Sequence, residues 1–191
     1  MKNFYKIIFL FLILSSNTLA SITYKQSSSS LDSVTNALRG INFNPDGTKM
    51  YVTEGQGTEE VLQYSLSTAY DVNTATLVST TTLTNINLPH AIEFKSDGTM
   101  MYVIDNTGTR VEQFTLSTAW DTSTLSHDDD FSVSEENQLR GLAFKPDGTR
   151  MYVIGAQKEI VYQYTLSTPW DVATATKTTE SDDFTSDESD P

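Results

Sequence analysis

The chain has 191 residues, no cysteine and a formal charge of −13. Without disulfides, its stability has to come from packing and hydrogen bonding. A surface this acidic repels phosphate backbones and anionic lipid, which argues against nucleic acid and membrane surfaces as partners and keeps an exported β protein soluble.

The first segment, 1–20, reads as a secretory signal peptide. MKNFYK supplies Lys2 and Lys6, IIFLFLIL is a continuous apolar run, and SSNTLA ends in small residues before Ser21. The apolar run is short for a membrane span, so a mature chain starting at Ser21 is expected to be secreted or periplasmic, with no membrane attachment after cleavage. Losing Lys2 and Lys6 takes the charge from −13 to −15.

From Arg39 onward the chain repeats itself. The stretches RGINF, HAIEF and RGLAF each lead into a turn, NPDGT, KSDGT or KPDGT. The strands KMYVT, MMYVI and RMYVI follow, then VLQYSLSTAYD, VEQFTLSTAWD and VYQYTLSTPWD. A further β-rich piece, TLVSTTTL after the first copy and DDDFSV after the second, leads to the next unit. Gly47, Gly98 and Gly148 are 51 and then 50 residues apart. Four short strands per unit of this length is the layout of a propeller blade.

The turn residues explain themselves. Pro45 presets φ for the first central position of a type I turn, Asp46 suits the second, and Gly47 can take the left-handed conformation that joins the turn to a bulged hairpin. Gly98 and Gly148 repeat that structural role, and Ser96 replaces the proline in the middle copy. In MYVI, Met151 and Val153 point one way and Tyr152 and Ile154 the other, so both faces of this strand should be buried, as between two neighbouring blades. Tyr70, Trp120 and Trp170 recur after the third strand and are expected to pack between blades; sugar stacking is the other use of such rings. A β-helix would lack a tight hairpin in every coil, and a plain sandwich gives no reason for the repeat.

LPHAIEFKSDGTMMYVIDN, 88–106, resembles the repeats of YVTN and NHL type β-propellers. QYTLSTPWDVATAT, 163–176, is similar to the LSTPWD repeats of bacterial and phage propeller proteins. The resemblance covers nearly all of 22–191 and implies an all-β fold of propeller-type blades. It also implies two activities found among such relatives, hydrolysis of cyclic esters by lactonases and, in some, a calcium ion in the central channel.

The expected organisation is a signal peptide at 1–20, three four-stranded antiparallel blades at 21–176, and an acidic, poorly ordered tail at 177–191. Closed propellers usually have four to eight blades, so three give an incomplete or oligomer-completed propeller. The segment 22–34 and the tail each sit where a blade's last strand would. The chain is thus either a piece of a longer propeller or one that assembles; two copies would supply six blades. The bare blade faces, lined by Met50, Tyr51, Val52 or their equivalents, predict self-association or capping by a protein partner.

Three groups of residues carry candidate chemistry. Arg39, His90 and Arg140 precede the innermost strand of each unit and would converge at one channel mouth, suited to an anionic ligand; pairing with neighbouring acids or carbonyls is the structural alternative. Glu54 and Asp105, with Asn106, occupy the loop after MYV and could serve a calcium ion, although Gly155 and Ala156 supply no carboxylate in the third copy. His127 to Asp130, echoed by Asp182 and Asp183, could hold a cation or, better suited to an outer strand, discourage edge pairing. No serine lies in a nucleophile-elbow pattern and no glycine-rich phosphate loop appears. The expected role is a non-catalytic binding or interaction module without a cofactor. A lactonase-like hydrolase whose channel forms on oligomerisation, and a structural fragment of a larger surface protein, are the alternatives.

Overall fold

The computed structural model describes residues 37–55 and 57–181. The signal-peptide segment 1–20, the stretch 22–34, and Asp182 and Asp183 lie outside the described residues.

Among the described residues twelve strands form three sheets of four. The first holds β1 (Leu38–Phe43), β2 (Lys49–Gly55), β3 (Glu59–Leu66) and β4 (Ala75–Thr82). The second holds β5 (Pro89–Phe94), β6 (Met100–Asp105), β7 (Arg110–Leu116) and β8 (Leu125–Ser132). The third holds β9 (Leu139–Phe144), β10 (Arg150–Gly155), β11 (Val161–Leu166) and β12 (Ala175–Glu180). Every sheet is antiparallel with strands in chain order, the blade of a β-propeller. Among the described residues three blades stand side by side, and no sheet closes on itself. Among the described residues no helix is long and apolar enough to cross a membrane.

The third blade extends beyond the boundary expected at residue 177. β12 pairs with β11 as far as Glu180, and Lys177 bridges to Glu180 at 2.6 Å, so the ladder and this ion pair order residues 177–180 despite their polarity.

The hairpins adopt the expected turn. The Gly47 amide donates to the Asn44 carbonyl at 3.0 Å and Gly47 has φ +71, with Gly98 and Gly148 at +74 and +72. Asp46 Oδ1 accepts from the Thr48 amide at 2.9 Å and the Thr48 hydroxyl at 2.6 Å; Asp97 and Asp147 repeat both bonds with Thr99 and Thr149. The glycines are needed for a second reason. Trp120 and Trp170 lie flat over Gly98 and Gly148, as Tyr70 does over Gly47, so a methyl group there would fall inside the ring. The aromatic residues are themselves left-handed, at φ 58, 63 and 69, and their amides donate to the carbonyls of those glycines.

The first strand of each sheet is innermost. β1 touches β5 and β5 touches β9, whereas outer strands β4 and β8 reach the next blade at its 3-10 turn, Thr122–Thr124 or Val172–Thr174. Between the first two blades, Tyr51 and Val61 pack on Ile92, Phe94, Met101 and Val103. Between the second and third, Tyr102, Ile104 and Val111 pack on Met151 and Val153. Tyr51 and Tyr102 are fully buried, which is why MYV carries no polar face. On the third blade the same register puts Ile154 47% exposed.

Candidate functional site

Arg39, His90 and Arg140 lie in the inner strands themselves, each the second residue of its strand, and share a feature beyond sequence spacing: each sits in a β-bulge. The β1–β2 register passes from Leu38↔Glu54 to Ile41↔Val52, so Arg39 and Gly40 oppose Thr53 alone. In β5 the shift falls between Pro89 and Ile92, taking in His90, and in β9 Arg140 is the extra residue between Leu139 and Gly141. A bulge re-aims its side chain away from the alternation of the strand. Here it happens three times at the end of the blades opposite the turns.

The structure brings two of the three rim residues into contact. The Arg140 Nη1 lies 3.2 Å from both His90 ring nitrogens, and Arg140 Nη2 donates to Gln138 Oε1 at 3.3 Å. Arg39 stands at the equivalent place on the first blade and acts on His90 through its charge. Burial, then the charges of Arg140 and Arg39, push the imidazole down to about 4, against a partial pull from Asp105. His90 is therefore neutral at pH 7 and can accept from the guanidinium on one nitrogen. Both arginines bring positive charge to the rim, with the Asp105 carboxylate acting on His90 from the opposite sign.

The loop carboxylates nearby have backbone duties. Asp105 Oδ1 accepts from the Leu88 and Thr107 amides, both at 3.1 Å, and Asn106 donates to the Leu139 carbonyl of the next blade at 2.6 Å. Glu54 is buried in β2, opposite Leu38 and Glu60. Among the described residues no group of three or more His, Asp or Glu side chains is placed to hold a metal ion. On β8, His127 bonds the buried Glu112 at 2.7 Å, Arg110 pairs with Asp130 at 3.3 Å, and Asp128 accepts from Gln113 at 2.7 Å. These charges line the edge strand of the second sheet, where they oppose pairing with another chain.

The glutamine of VLQY, VEQF and VYQY escaped the sequence reading. Gln63 Oε1 accepts from the Thr122 amide at 2.9 Å and hydroxyl at 3.1 Å, and Gln113 Oε1 accepts from the Val172 amide at 2.9 Å. Each fastens its blade to the 3-10 turn of the next. Its signal was a polar residue recurring at the centre of an otherwise apolar strand. Glu136, 1% exposed, was also missed: Oε1 accepts from the Asn137 and Gln138 amides and Oε2 from Lys158. Burial opposes its charge, yet these amides hold it below the usual glutamate range.

A scan against protein-family models finds no match, and a search of curated proteins finds none. Solved structures do match. A candidate 6-phosphogluconolactonase from Bacteroides uniformis aligns with TM-score 0.58 at 15% identity, over 82% of this chain and 45% of its own. A second, from Bacteroides fragilis, gives 0.57 at 18% identity over 84% and 46%. The periplasmic gluconolactonase of Pseudomonas aeruginosa gives 0.56 at 12% over 75% and 40%. The chain thus spans less than half the length of each of these three. At these identities the likeness establishes the fold: the chain is built of β-propeller blades resembling those of lactonase-type propellers.

Proposed function

We propose that this chain is an exported propeller-type binding module, non-catalytic in itself, that takes an anionic ligand at the inner-strand rim. The observation that carries the reading is the Arg140–His90 contact with Arg39 within electrostatic reach. Two guanidiniums beside a neutral imidazole, on a chain of charge −13, form a positive spot to which a carboxylate or phosphate would be drawn by charge-assisted hydrogen bonds. Arg140 is exposed and can turn toward such a ligand, while His90 is buried and fixes the floor.

Titration of the purified chain with inorganic phosphate and with gluconate, followed by calorimetry and the His90 ring resonances, tests this. Saturable binding is expected, with Arg140→Ala weakening it by about ten- to a hundredfold, the worth of one charged hydrogen bond. No saturable binding of either anion, or an unchanged affinity in Arg140→Ala, overturns the rim site. Export is checked by the N-terminal mass of the secreted material, expected to begin at Ser21.

A lactonase-like hydrolase is the second reading, favoured by the three structural neighbours named for that activity. Hydrolysis of gluconolactone above the spontaneous rate, lost in Arg140→Ala, would replace the non-catalytic reading with this one.

A further inference from the structure

The turn end of the blades holds a hollow of about 440 Å³, at the other end of the inner strands from the Arg140–His90 rim. We infer that it is a binding site for a small organic cation of the methylated ammonium class, with Glu93 as counter-ion and the surrounding rings as walls. The inference goes beyond the anion site and does not depend on it.

The register of the inner strands places the acid there. Asn42, Glu93 and Ala143 occupy one position in the three repeats, each paired with the tyrosine of MYV, Tyr51, Tyr102 or Tyr152. Each comes one residue before the phenylalanine that ends its strand, and so lies next to the turn. Repeats that agree closely elsewhere differ here: an amide, a carboxylate and a methyl. Blade packing does not call for an acid at this register, since the blades on either side form without one. Glu93 is also held in place. Asn42 Nδ2 donates across the blade boundary to Glu93 Oε2 at 2.9 Å and to the Ile92 carbonyl at 3.2 Å. Burial raises the carboxyl above its ordinary value, and the group set against that burial is the neutral Asn42 amide. A cation in the hollow would supply the opposite charge that favours the carboxylate.

The walls are aromatic. Phe94 stands 5.2 Å from Trp120 and Phe144 5.3 Å from Trp170, centroid to centroid, and all four rings line the hollow with Glu93 and Asn42. Both indoles are half-buried, which leaves part of each open to a ligand. The negative face of such a ring attracts an ammonium ion, tryptophan most strongly, and the attraction grows where water is excluded. Methyl groups on the nitrogen add apolar contact with the same rings. A sugar also stacks on tryptophan, but it asks for hydrogen-bond donors as well as acceptors. The side-chain amides of the hollow are already committed, Asn42 to Glu93 and Ile92, and Asn44 to the Thr48 hydroxyl at 3.3 Å. A fixed negative charge among rings suits a cation better than a polyol.

Titration of the full chain with choline chloride tests the inference, followed by calorimetry and by fluorescence, since both tryptophans of the chain line the hollow. Two companions are titrated beside it: the uncharged isostere of choline, in which a quaternary carbon replaces the nitrogen, and methyl glucoside. Saturable choline binding is expected, at least about tenfold tighter than that of the isostere, with no saturable binding of the glucoside. Glu93→Gln keeps an oxygen for the Asn42 amide and removes the charge. It is expected to weaken choline binding by about tenfold or more and to leave the affinity for the isostere as it was. If that variant fails to fold, the comparison of choline with its isostere on the wild-type chain decides alone. Equal affinity for the two would show an apolar hollow without selection for charge, and overturns the inference. So do saturable binding of the glucoside in place of choline, no saturable binding of choline, and a folded Glu93→Gln chain that binds choline as the wild type does.

Discussion

Tyr102 places its hydroxyl 2.6 Å from the carbonyl of Trp170, across the boundary between the second and third blades, and Tyr51 does the same to Trp120 at 2.9 Å. The two bonds are not equivalent in their surroundings. Lys49 Nζ also donates to the Trp120 carbonyl, at 3.0 Å, and Met100 stands in the place of Lys49 one repeat on. Tyr102→Phe therefore leaves the Trp170 carbonyl without its donor and should cost about 1–3 kcal/mol. Tyr51→Phe should cost measurably less, since the lysine remains. Urea unfolding of both variants checks the order; equal losses would show that the hydroxyls are incidental to ring packing.

Gly98→Ala meets two obstacles at once, a backbone at φ +74 and the indole of Trp120 where its methyl would go. Strain and overpacking together predict a loss of about 2–5 kcal/mol. Gly57 supplies the control. Its φ is +103, but nothing lies within reach of an added methyl, so Gly57→Ala should show the backbone cost alone, roughly 1–2 kcal/mol. Melting curves separate the two, and a Gly98→Ala loss no larger than that of Gly57→Ala would remove the ring contact from the account.

The fold was readable because each repeat states it locally: a DGT turn, a strand apolar on both faces and an aromatic after it. Copies that agree at fixed spacing leave few other architectures. The bulges at Arg39, His90 and Arg140 were not readable, because one extra residue in a ladder shows only once the partner strand's register is known. The same limit hid the duty of Gln63 and Gln113, which depends on an amide 59 residues away in another blade. Glu136 was hidden for a different reason. Its counterparts in the other copies are not acidic, and a lone acid near a loop looks like a solvated side chain until its burial is seen.

Acid should weaken the protein in two stages. His90 is held at about 4 in the fold against an ordinary 6.5, so its neutral form is favoured by folding. That contribution is fully present above about pH 6.5 and is lost as pH falls to about 4. Burial on its own would raise Asp97, but hydrogen bonds from Thr99 and Lys95 together hold it at about 2, and Asp46 and Asp147 are lowered by their own turn threonines, Asp147 first by Lys145. The turn contributions are therefore present above about pH 4 and drain away below it. Melting temperature against pH should show both slopes. His90→Gln should flatten the upper one and Asp97→Asn part of the lower; an upper slope that survives His90→Gln would mean another group titrates there.

Glu136 connects stability to the rim. It lies four residues before Arg140, and its two oxygens gather the Asn137 and Gln138 amides leading into β9 and the Lys158 amide from the loop after β10. Glu136→Gln keeps one acceptor oxygen, but turns an NH2 group toward an amide that can only donate, which should cost about 1–3 kcal/mol. Hydrogen exchange should register it first at Lys158, whose amide loses its acceptor. Because Gln138 also accepts from Arg140 at 3.3 Å, loosening this loop frees the guanidinium, and phosphate affinity at the rim should fall without any change to Arg140 or His90 themselves. Unchanged Lys158 protection in Glu136→Gln would show that water replaces the carboxylate, and that the loop is held by its strands alone.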